Sequence, residues 1–131
     1  FTAATTLKPT FSNFYPAATT PANSEDVTAF VNDDPLQEYI IASDATLGAT
    51  LALRKSKVGL TYATTSAAGS TTTGKSSVQL GISTAATTAK ALRVVRVAED
   101  PENEDQTAAN CSVVVKINLH QYTVGSLATG I

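Results

Sequence analysis

Between Ser112 and Gln121 the chain alternates: Val113, Val115, Ile117 and Leu119 fall on one face, and Ser112, Lys116, Asn118 and His120 on the other, with Val114 the exception. A period of two carried by β-branched residues predicts a half-buried strand, one face on a core and one in water. The run LRVVRV at 92–97 predicts its neighbour, but strict alternation places Arg93 and Arg96 on opposite faces. Such a strand lies near a sheet edge or against something other than a dry core. An acidic loop with a proline, residues 99–105, joins the two and is too long and too charged for a two-residue turn.

Shorter runs repeat the pattern upstream. Val58, Leu60 and Tyr62 alternate, as do Val78, Leu80 and Ile82, and residues 27–32 and 38–43 read as strands around an Asp33-Asp34-Pro35 turn. Residues 44–57 carry the one helical spacing, Leu47, Leu51 and Arg54, which Gly48 and Thr50 limit to one or two turns. Six or seven short strands between polar loops predict an all-β domain, a small single-domain barrel or sandwich with at most one short helix. Its body spans 26–122 and a tail follows at 123–131. The expected core is Val113, Val115, Ile117 and Leu119 with Leu60, Tyr62, Val78 and Leu80.

Residues 1–25 differ in kind. Pro9, Pro16 and Pro21 are spaced through a Thr/Ala-rich stretch, which predicts an extended N-terminal arm rather than a helix or an interior strand. Phe11, Phe14 and Tyr15 sit in its middle. A disordered tail usually lacks such a cluster, so the arm is expected to be ordered and to anchor on a surface, of its own domain or of a neighbour.

Composition narrows the partners. At 131 residues the chain suits one domain with a modest core. A net charge of −2 with 15% charged residues gives no electrostatic footprint for nucleic acid or an anionic membrane. No apolar run approaches the roughly 18–20 residues of a membrane span. Cys111, alone of its kind, shares a face with Val113 and reads as a small buried hydrophobe rather than a reactive thiol. Arg54, Lys55 and Lys57 read as a solvated patch. No charged-then-apolar leader is present and the chain starts at Phe1, so the expectation is a processed protein or part of a longer product.

The candidate chemistry is thin. Residues 69–76, GSTTTGKS, match the phosphate-binding loop pattern letter for letter. A working loop of that kind needs a buried strand before it and a helix after it, whose N-terminus faces the phosphate. Here the preceding flank is Ser/Thr/Ala and the following one, 77–82, has a strand period, so the match is expected to be inert. The five carboxylates of 99–105 lack the order of an EF-hand loop and read as a solvated turn. His120 has no second histidine and no distinguished nucleophile to join it. The expectation is no enzyme, no cofactor and no metal.

Three stretches taken in order resemble a known family: PTFSNFYP at 9–16 with DVTAFVNDDP at 26–35, then GSTTTGKS at 69–76, then LRVV at 92–95 through DPEN at 100–103 to VKINLHQY at 115–122. Together they resemble the head decoration, or cement, proteins of tailed bacteriophages. The resemblance implies a structural virion protein on the outer surface of an icosahedral capsid. Its partners would be the major capsid protein and other copies of itself, with no nucleic acid and no membrane. Phe11, Phe14, Tyr15, Arg93 and Arg96 are the candidate assembly contacts. A Thr/Ala-rich bacterial surface or pilus-like module is the competing class.

Overall fold

The computed structural model describes residues 1–14, 20–24, 26–99 and 107–120. They cluster into two compact units, an N-terminal unit of residues 1–32 with 68–77 and a sheet unit of residues 33–67 with 78–131.

The sheet unit is built on the two strands with the clearest sequence pattern. Its elements are β1 (Glu38–Ala42), α1 (Leu51–Lys55), β2 (Thr61–Tyr62), β3 (Thr64–Thr65), β4 (Gln79–Leu80), β5 (Leu92–Val97) and β6 (Ser112–Ile117). Four strands form an antiparallel sheet in the order β1-β6-β5-β2, and β3 pairs with β4. The fold is therefore mostly β with one short helix, as the sequence pattern predicts. No closed barrel forms among the described residues.

Register decides which side chains share a face. Val113 lies opposite Ile41, and Val115 lies between Tyr39 and Val94. With Leu47, Tyr62, Leu80, Ile82 and Cys111 these residues make the core. Val114 is buried too, although it belongs to the opposite face. Two expected core positions are exposed. Leu119 is exposed because β6 ends at Ile117, and Asn118 is buried instead, its backbone N–H on Ala91 O and its Nδ2 on Lys90 O. Val78 precedes β4 and is also exposed.

The pairing of β5 with β6 carries a bulge. Val94 lies opposite Val115 but Arg96 lies opposite Val114, so Val95 is the extra residue. That single insertion reverses the alternation after it. Arg93 and Arg96 consequently share one face, where strict alternation had separated them.

Both sheet edges are partly closed. At β2, Thr61 exchanges backbone hydrogen bonds with Ala86, and its Oγ1 donates to the carbonyls of Ala86 and Thr88. At β1, Ser43 forms a parallel bridge with Leu80, and Asp44 N–H donates to Leu80 O. Short covered edges of this kind suppress uncontrolled strand pairing. The helix is a single turn: Thr50 caps it by accepting from Leu53 N–H, and Arg54 reaches back to the carbonyls of Gly48 and Ala49.

The N-terminal unit is not simply extended. Thr2 bridges Pro9 and Ala3 bridges Pro21, both antiparallel. The hydrogen bonds run beside the prolines: Ala3 N–H to Lys8 O, Thr10 N–H to Phe1 O, Ala4 N–H to Thr20 O and Ala22 N–H to Thr2 O. Each proline occupies the non-hydrogen-bonded member of its pair, where a missing N–H costs nothing. Residues 27–32, expected as a strand, form none; Phe30 and Val31 are exposed there.

Candidate functional site

All four phenylalanines of the chain, Phe1, Phe11, Phe14 and Phe30, lie in the N-terminal unit. They line one open groove of about 570 Å³ together with Val27 and Asn13. No side chain lining it is charged. Two of the rings are presented rather than packed away, Phe11 at 88% and Phe30 at 95% exposed, while Phe14 is 36% exposed and Phe1 is half-buried. Ala22 is the one buried apolar residue of this unit among the described residues. Of the expected anchor at 11–16, Phe11 and Phe14 are exposed, and Tyr15 and Pro16 lie outside the described residues.

Phe30 and Phe1 were not singled out from the sequence. The available signal was composition along the chain: every phenylalanine falls in the first 30 residues and none in the strand-rich part.

The loop matching the phosphate pattern belongs to the same unit, and four of its N–H donors are taken up within the loop itself. Ser70 N–H donates to Lys75 O, Gly74 N–H to Ser70 O, Thr73 N–H to Ser70 Oγ and Lys75 N–H to Thr73 Oγ1. No helix follows; the next element is β4. N–H groups turned onto their own loop do not converge on an anion. Gly74 has a different task. Its φ is +65°, and a Cβ there would overlap the Asn13 amide, which donates to Thr73 O at 3.3 Å. Glycine is required for both reasons.

On the outward face of the sheet unit the bulge gathers charge. Arg93 and Lys116 lie directly opposite each other, as do Lys116 and Glu38. Arg96 Nη2 lies 3.9 Å and Lys116 Nζ 3.6 Å from the Glu38 carboxylate. Arg93 Nε donates to Gly59 O. Ile40 stands on the same face and is 69% exposed. Sequence reasoning named both arginines but missed Glu38, Ile40 and Lys116, because the face is assembled by pairing across three strands.

The other candidates are placed as follows. His120 Nε2 lies 3.4 Å from Asp33 Oδ1. Cys111 is buried in the core, as expected. Of the acidic loop 99–105 only Glu99 is described, and it is exposed. Among the described residues, no three His, Cys, Asp or Glu side chains gather as a metal site, and no helix is long and apolar enough to cross a membrane.

Comparison with protein-family models, with curated proteins and with solved structures finds no match to this chain.

Proposed function

We propose that this chain is a structural virion protein, a decoration protein that binds the outside of a tailed-phage capsid and stabilises the shell without catalysing a reaction. The observation that carries the reading is the aromatic groove. The sheet unit fills its core with valine, leucine, isoleucine and tyrosine, whereas the N-terminal unit leaves Phe11 and Phe30 facing solvent. Apolar surface gathered in this way, rimmed by polar residues such as Ser12, Asn13 and Thr28, marks a protein-binding face. The resemblance of the ordered sequence stretches to decoration proteins supplies the class of partner, the shell protein.

Magnitudes shape how such a face would work. Burying a phenylalanine side chain yields about 1.5–3 kcal/mol. Phe11 and Phe30 start almost fully exposed, so together they offer about 3–6 kcal/mol. Association costs about 4–15 kcal/mol in lost freedom, so one groove alone holds weakly. A lattice that presents the same site many times converts weak contacts into firm attachment.

The test is co-sedimentation of the chain with shells that lack it. Replacing Phe11, Phe14 and Phe30 by serine should lower binding at least about tenfold, the loss of one ring contact or more, and leave the thermal midpoint of the sheet unit in place. Unchanged binding with unchanged thermal stability would refute the assignment.

A further inference from the structure

We infer that residues 27–31 are an open strand that pairs antiparallel with the same residues of a second copy of this chain. This inference rests on the N-terminal unit alone and does not require the capsid reading. Three observations carry it.

The first is a strand sequence without a ladder. Residues 27–31 read VTAFV, β-branched and aromatic residues around one alanine, and no proline, glycine or lysine occurs from 26 to 32. No positive φ interrupts the segment. Yet among the described residues no backbone N–H or C=O of 27–31 makes a hydrogen bond. Composition and backbone both suit a strand, and the partner is what is missing.

The second is access. Thr28, Ala29, Phe30 and Val31 are all exposed, Phe30 at 95% and Val31 at 78%. The sheet unit partly closes its edges with Ala86 and Leu80. Residues 27–31 have no such cover, and none of the proline or lysine that blunts an open edge. A row of unpaired N–H and C=O groups recognises another strand.

The third is register, which selects the partner. Antiparallel pairing centred on Ala29 sets Ala29 opposite Ala29, Thr28 opposite Phe30, Val27 opposite Val31 and Asp26 opposite Asn32. Two β-branched–aromatic pairs form, and the one charge on each strand faces an amide. Parallel in-register pairing would instead set Asp26 beside Asp26, like charge against like. Slipping the antiparallel pair by two residues sets Asp26 opposite Phe30, or Val27 opposite Asp33. The centred pair avoids all three, and as a two-fold contact it closes at two copies.

Sedimentation velocity on the full chain tests this. A two-stranded contact this short is weak, so association is followed up to about 1 mM. Thr28→Pro and Ala29→Pro each delete an N–H that has no partner in the single copy, so near-UV spectra and urea midpoints should match wild type. Successive N–H groups of a strand point to opposite edges. One of the two prolines should therefore weaken self-association at least about tenfold and the other should leave it unchanged. Raising salt from about 0.05 to about 0.5 M should not weaken it, since no opposite charges pair across the contact. Phe11→Ser with Phe14→Ser should associate like wild type, which separates this strand from the groove. A chain that stays monomeric throughout that range overturns the inference. So do equal effects of the two prolines, or association lost in the serine pair and kept in both proline variants.

Discussion

Replacing Tyr62 by phenylalanine should make the protein weaker at neutral pH and stronger at high pH. The ring is wholly buried in the core, and its hydroxyl donates to Lys57 O at 3.0 Å. Removing the hydroxyl deletes one hydrogen bond and leaves a carbonyl beside half-buried Lys57, for a net cost of about 1 kcal/mol. Burial also pushes the phenol up from 10.0 to about 12. A raised folded-state value means that the hydroxyl's contribution is intact below about pH 10 and is lost as pH rises toward about 12. Over that window wild type should lose about 2–3 kcal/mol that the phenylalanine variant does not lose. The two stability curves should therefore cross near about pH 11. Urea midpoints for both proteins, measured at intervals between neutral pH and about pH 11.5, read this directly. Curves that stay parallel throughout would show that Tyr62 is hydrated in the folded protein and that the core is not packed as described.

Three further outcomes follow from the packing. Val115→Asp should cost several kcal/mol and abolish cooperative unfolding, since it buries an unpaired carboxylate, whereas Leu119→Asp should stay within about 0.5 kcal/mol of wild type; equal effects in chemical denaturation would contradict the strand end at Ile117. Gly74→Ala should cost about 1–2 kcal/mol locally, through positive φ and the Asn13 overlap, seen as faster hydrogen exchange at Ser70 and Gly74; unchanged exchange would contradict the loop geometry. Lys75→Ala should alter neither folding nor shell binding, and micromolar ATP binding lost in that variant would overturn the account of residues 69–76.

What could be read from the chain alone was local. The alternation of Val113, Val115 and Ile117 located β6 and its buried face, because side-chain direction in a strand is fixed by parity. The one-turn helix was legible through Gly48 and Thr50. Parity failed at β5, where Val95 is inserted in the ladder; a bulge depends on the partner strand and leaves no mark in LRVVRV itself. It failed again at Leu119, whose apolar character continues past the last hydrogen-bonded pair. The prolines of the first 25 residues misled in another way. Proline excludes a donor but not a bridge, and Pro9 and Pro21 sit where no donor is needed. Of the site, the phenylalanines at 11 and 14 were legible as an aromatic cluster. Their grouping with Phe1 and Phe30 came from chain reversal, which no short-range pattern encodes.

The central claim is that the rings of the N-terminal unit touch a capsid shell. Photo-crosslinking tests it most directly, with a photoreactive phenylalanine analogue placed singly at Phe11, at Phe30 and, as a control on exposed surface of the sheet unit, at Leu119. On purified decorated particles, positions 11 and 30 should form adducts with the shell protein and position 119 should not. Adducts absent at 11 and 30, or equally abundant at 119, would contradict the assignment.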